Sequence, residues 1–116
     1  MIIKQIPKSM SLNAYRNCHY FKINDQKKKF IEVLEGVMKL QGIEIRSLKT
    51  PIKTIFRFYN FRNRDIDGEI VSTKNFHDAL IHLEMIPDDN RDYITEVRLI
   101  AEEGRGHFFD VEIIES

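Results

Sequence analysis

The chain is 116 residues long and 42% apolar, with eight Phe and three Pro: enough for one hydrophobic core over residues 1–116, too short for two ordinary domains, too apolar for a disordered chain. Its one cysteine, Cys18, excludes an intrachain disulfide or a multi-cysteine zinc site and makes the cytoplasm the expected compartment, while no apolar run approaches the roughly 20 residues of a membrane span and the first residues lack a secretory signal. The formal net charge is zero, but 14 of the 18 Lys and Arg fall in residues 1–64 and 14 of the 18 Asp and Glu in residues 65–116, a polarity that suits phosphate contacts on the basic half or self-association through matched patches.

In chain order, Ile2 to Ile6 reads as a strand ended by Pro7. The polar stretch from Ser9 through Lys22 has no firm period and reads as a surface loop. In it Arg16, Asn17, His19 and Lys22 can reach phosphate oxygens, with Tyr15 or Tyr20 as packing or stacking surface. A helix follows from Asp25 to Leu40, capped by Asn24 or Asp25. Its buried stripe is Phe30, Ile31, Leu34, Val37 and Met38, and Gly42 stops it. Lys27, Lys28 and Lys29 sit on its first turns, where the helix dipole least favours positive charge. They serve either something outside the helix or simply a solvated face.

Residues Ile43 to Leu48 read as a strand, and Ile52 to Phe61 as the clearest strand in the chain. Ile52, Thr54, Phe56 and Phe58 fall on one face, with Lys53, Ile55, Arg57 and Tyr59 on the other. So short a connection, through Thr50 and Pro51, makes an antiparallel hairpin the expectation. A second helix spans Glu69 or Ser72 to Glu84, with Thr73, Phe76, Leu80 and Leu83 toward the core and His77 and His82 at the surface. Strands follow at Tyr93 to Ala101 and His107 to Ile114, joined by a hairpin loop over 102–106. The predicted order is β-α-β-β-α-β-β: a two-layer α+β domain with a mixed sheet and two helices.

The chemistry concentrates after the long strand. Asp65 and Asp67 are two residues apart, so on extended chain their carboxylates leave the same face and repel unless a cation lies between them. Mg²⁺ or Mn²⁺ accepts such oxygen ligands. The same Asp-Ile-Asp triplet also suits a turn and a helix start. Arg62 and Arg64 precede it, Lys74 and Asp78 follow, and Asp88 and Asp89 come after the next helix; acids gathered among bases point to an anionic substrate beside a cation. Lys74 and Asp78, four apart, can meet on the helix surface, either as an ordinary exposed pair or with Lys74 over a scissile phosphate and Asp78 orienting it or approaching the metal. Arg105 between two glycines makes no nucleotide-binding loop, so no nucleotide cofactor is expected.

Arg64-Asp65-Ile66-Asp67, then Lys74, Asp78-Ala79-Leu80 and Ile86-Pro87-Asp88-Asp89-Asn90 resemble the RusA family of Holliday-junction resolvases, especially its phage and prophage branch. Ser11-Leu12-Asn13 and the basic-aromatic loop after it resemble that family's opening segment. The resemblance implies a homodimeric, magnesium-dependent endonuclease of DNA recombination and repair that nicks four-way junctions symmetrically, leaving 5′-phosphate and 3′-hydroxyl ends. It implies metal-binding or catalytic roles for Asp65, Asp67 and Asp89, with Asp88 beside it, a catalytic role for Lys74, and a substrate-side place for Asn13. Gly68 stands where the family usually carries Asn, which bears on the rigidity of the site.

Overall fold

The computed structural model describes residues 1–8, 20–59, 69–104 and 106–116, with the side chains of residues 20–23 left aside. The element order is β1 (Ile2–Pro7), α1 (Tyr20–Leu40), β2 (Ile52–Tyr59), α2 (Ile70–His82), β3 (Ile94–Glu102) and β4 (Phe108–Ile114). The four strands form one mixed sheet in the order β1-β4-β2-β3. β2 pairs parallel with β3 and antiparallel with β4, which in turn pairs antiparallel with β1. This is the expected α+β class with a mixed sheet and two helices.

β2 is the centre of the packing because it is bonded on both edges and its alternation is nearly complete. Ile52, Thr54, Phe56 and Phe58 are buried, as their spacing predicts. Phe56 meets Phe76 of α2 edge-on at 5.4 Å and lies 6.1 Å from Phe109 of β4, so one ring joins the sheet to the helix layer. Phe30, Leu34 and Met38 bring the buried stripe of α1 onto the same core.

Four expectations are corrected. Residues 43–48 form no strand. Their alternation is real, with Leu48 buried and Glu44 and Arg46 exposed, but among the described residues no neighbouring strand offers a ladder. The segment is held instead by the Leu48 N–H to the Met85 carbonyl and by the Arg46–Glu115 pair. The hairpin expected with Ile52–Tyr59 is therefore absent; α2 supplies a crossover, which is why β3 returns parallel to β2. β3 and β4 likewise form no hairpin, since β2 lies between them. α1 also begins at Tyr20, five residues before the expected start, so Asn24 and Asp25 lie within it and cap nothing.

Both helices end in the same way. Gly42 (φ 68°) closes α1 with its N–H on the Lys39 carbonyl and that of Ile43 on Met38, the pair of bonds of a Schellman motif. α2 repeats the pattern with Glu84 (φ 59°): its N–H reaches Ile81 and that of Met85 reaches Leu80. A side chain in this left-handed region costs about 1 kcal/mol. Glu84→Gly should accordingly raise stability by about 0.5–1 kcal/mol in urea titrations, with no change in the denaturant slope.

Candidate functional site

The crossover sets what lies at each end of the sheet. At one end β2 finishes at Tyr59 and α2 starts after Glu69, so the two described residues that bracket 60–68 share this end with Pro7 and Lys8. Lys8 and Glu69 form an ion pair at 3.6 Å with side chains only 3% and 4% exposed, and the Lys8 ammonium stands 5.8 Å from the Phe58 ring centroid. A carboxylate just before α2 also suits the positive end of the helix dipole.

The first two turns of α2 are enclosed rather than amphipathic. Val71, Ser72, Thr73, Asn75, Phe76 and His77 are buried, and Lys74 is exposed among them. Thr73 donates its hydroxyl to the Ile70 carbonyl at 2.7 Å. His77, expected at the surface, is inside because Phe56 packs edge-on against its ring and the Thr54 hydroxyl meets its Nε2 at 2.9 Å. Burial pushes its pKa down to about 4, with the Asp78 carboxylate pulling the other way. His82 is exposed, as expected.

Asp78 pairs with Lys27 of α1 at 3.5 Å rather than with Lys74. That contact ties the two helices together and puts Lys27, with exposed Lys28 and Lys29, on the same helical layer as Lys74. Lys29 also lines a small cavity of about 120 Å³ with Pro7, Lys8 and Phe30, which places the lysine run near the Lys8–Glu69 end.

Asp88 and Asp89 lie elsewhere. Their segment is anchored by bonds from Leu48 N–H to the Met85 carbonyl and from Ile52 N–H to the Tyr93 carbonyl, at the start of β2. The eight residues of β2 span about 23 Å, and the 13 of α2 about 20 Å, so within one protomer this turn is a sheet length away from Tyr59 and Glu69. Asp88 serves the turn itself: Oδ1 accepts the Asp89 N–H at 2.8 Å and Oδ2 the Asn90 amide at 3.3 Å. Both acids are exposed. Among the described residues no three His, Cys, Asp or Glu side chains come together to hold a metal ion. Asp65, Asp67, Arg62, Arg64, Gly68, Asn13, Arg16, Asn17, His19 and Cys18 lie outside the described residues, as does the side chain of Lys22.

Two features escaped the sequence reading. Lys8 follows a strand-ending proline and Glu69 a glycine, so nothing local announces that they pair. On the open face of the sheet, Asp110 accepts the Tyr59 hydroxyl at 2.9 Å on one oxygen and the Gln5 N–H at 2.8 Å on the other, at the bulge where Gln5 has φ 55°. The Asp110 bond raises the Tyr59 pKa. The two residues line a half-open cavity of about 250 Å³ with Lys4, Gln5 and Phe108.

No protein-family model matches the chain, and none of the curated proteins matches it. Among the described residues, no helix is long and apolar enough to cross a membrane.

The buried His77 gives a pH signature. Its folded pKa of about 4 lies below the ordinary 6.5, so its contribution is fully present above pH 6.5 and is lost as the pH falls toward 4. The loss amounts to about 3 kcal/mol at most. Urea titrations across that window should show this decline, and His77→Gln should flatten it. The contribution of Glu115, whose pKa the Arg46 guanidinium holds down to about 2, disappears only at still lower pH, below 4.5.

Proposed function

We propose that the chain is a divalent-metal-dependent endonuclease that cuts branched DNA, four-way junctions above all, by paired nicks from a homodimer. The observation that carries the reading is where Arg62-Asn63-Arg64-Asp65-Ile66-Asp67-Gly68 falls in the chain. In sequence it lies between the end of the central strand at Tyr59 and the start of α2 at Ile70; of the described residues at that end of the sheet and on the helical layer, Lys8 and Glu69 form a buried pair, Lys74 is exposed one turn into α2, and Lys27, Lys28 and Lys29 share its layer. A strand-to-helix connection next to a helix N-terminus is a favourable place for phosphate, since backbone N–H groups and the dipole both favour negative charge.

In this reading Asp65 and Asp67 supply hard oxygen donors, a set that fits Mg²⁺ or Mn²⁺. The ion, when bound, polarises the phosphate and lowers the pKa of the attacking water. Lys74 offsets charge that develops on the phosphate oxygens, and the lysines of α1 hold flanking backbone. Asn13, Arg16, Asn17, His19, Lys22, Arg62 and Arg64 complete the DNA-facing set. Asp89, with Asp88, joins the carboxylates only if a second protomer contributes, given the sheet length between the ends. The chain would act in the bacterial cytoplasm and be of phage or prophage origin.

A second reading, a junction-binding protein of the same fold with little or no turnover, is favoured by the turn-making role of Asp88 and by Gly68. One experiment separates the two: a labelled synthetic four-way junction incubated with Mg²⁺ or with chelator, beside linear duplex and flap controls. Metal-dependent paired nicks are expected, reduced about a hundredfold or more by Asp67→Asn and by Lys74→Ala. Binding should weaken steeply with salt. Unchanged cutting by Asp67→Asn would sink the ligand assignment, and binding without nicks would establish the second reading.

A further inference from the structure

The bulge in β1 builds a recognition edge on the open face of the sheet. Between the pairs Ile3–Val111 and Ile6–Phe109, two residues of β1, Lys4 and Gln5, stand against the single residue Asp110 of β4. The Gln5 N–H is taken by Asp110 Oδ1 at 2.8 Å, with Gln5 at φ 55°. On the outer edge of β1 the Gln41 carboxamide accepts the Lys4 N–H at 2.9 Å and donates to the Lys4 carbonyl at 2.6 Å, so the strained stretch is held from both edges. The distortion leaves a half-open cavity of about 250 Å³ lined by Lys4, Gln5, Tyr59, Phe108 and Asp110. Phe108 is 40% exposed there. A Cβ on Gly106 would come within 2.8 Å of its ring, and one on Gly104 within 2.9 Å of the Tyr59 ring, so the two glycines lie against the two aromatics that line the cavity.

We propose that this cavity binds a guanine base, stacked on Phe108 with its Watson–Crick edge on Asp110 and Lys4. A carboxylate offers about four lone-pair positions. Asp110 uses one on each oxygen, Oδ1 for Gln5 and Oδ2 for the Tyr59 hydroxyl at 2.9 Å, so one position remains on each and the group is held still to offer them side by side. Of the nucleobases, guanine alone presents two adjacent N–H donors on that edge, N1–H and the 2-amino group, with the O6 acceptor next to them. Lys4 is exposed, makes no ion pair among the described residues and is the one cation among the residues lining the cavity, which makes it the donor for O6. A ligand edge of a single charge fits less well, since Lys4 repels a guanidinium and Asp110 an anion. The cavity is smaller than the pockets of drug-sized ligands and suits one base with its sugar and phosphate outside, so the same edge is offered to a free nucleotide and to an unpaired guanine in a strand. The site stands without the nuclease reading.

The test uses the full chain with chelator present, so that no cutting intrudes. Fluorescence anisotropy measures binding of short labelled oligothymidylates that carry one central guanine, hypoxanthine or adenine. Guanine should bind about tenfold or more tighter than hypoxanthine, which lacks only the 2-amino group, and tighter than adenine by at least as much. Asp110→Asn should abolish the difference between guanine and hypoxanthine. Lys4→Met should weaken these two alike, since both keep O6, and Phe108→Ala should weaken every base about tenfold through lost stacking. Asp110→Asn also loosens the bulge, so the comparison of guanine with hypoxanthine on the unaltered protein decides. Equal affinity for the three bases, or none measurable, would overturn the proposal, and a guanine preference that survives Asp110→Asn would put recognition elsewhere. Guanosine 5′-monophosphate competing as well as the strand makes the free nucleotide the source of the base; competition by the strand alone makes it an unpaired guanine. Guanine selectivity in a chain that cuts no junction in Mg²⁺ would count against the nuclease reading alone.

Discussion

The crossover from β2 through α2 to β3 is the constraint on which the rest of this molecule depends. A strand that leaves β2 and returns parallel to it must travel back along the sheet, and α2 is that return path. Phe76 of α2 packs edge-on against Phe56, and the same Phe56 ring lies beside Phe109 on β4. Because β2 is hydrogen-bonded on both sides, its direction fixes two unlike ends of the domain. One collects Tyr59, Lys8 and Glu69; the other collects Met85, Tyr93 and the turn with Asp88 and Asp89.

The first end carries an unusual amount of buried polarity for a small domain. A nearly dry Lys8–Glu69 pair gains little net stability, because desolvating two ions offsets most of their attraction. Breaking such a pair from one side costs more than the pair contributes, because the desolvation of the remaining ion is no longer offset by it. The enclosed start of α2 adds Ser72, Thr73, Asn75 and the Thr54–His77 contact. Packing of this sort fixes one geometry more than it deepens stability at this end of the sheet. The far end is made differently, from short Asx contacts of Asp88 and Asn90 at the surface.

How much of this could be read beforehand follows from the range of each signal. The alternation of β2 and the stripe of α1 are local and strong, and the buried residues match them: Ile52, Thr54, Phe56 and Phe58, then Phe30, Leu34 and Met38. Gly42 marked the end of α1 because its left-handed conformation has a residue preference; Glu84 adopts the same conformation with no such mark. Pairing partners were not legible. Residues 43–48 alternate as a strand does, yet whether a strand forms depends on a neighbour, and among the described residues the sheet's open edges are those of β1 and β3. The proximity of β3 to β4 in sequence suggested a hairpin, but β2 holds the place between them. For the site, residue types and spacing singled out Lys74, Asp78, Asp88 and Asp89; they could not reveal that Asp78 would be taken by Lys27 or that the last two would stand a sheet length from Glu69.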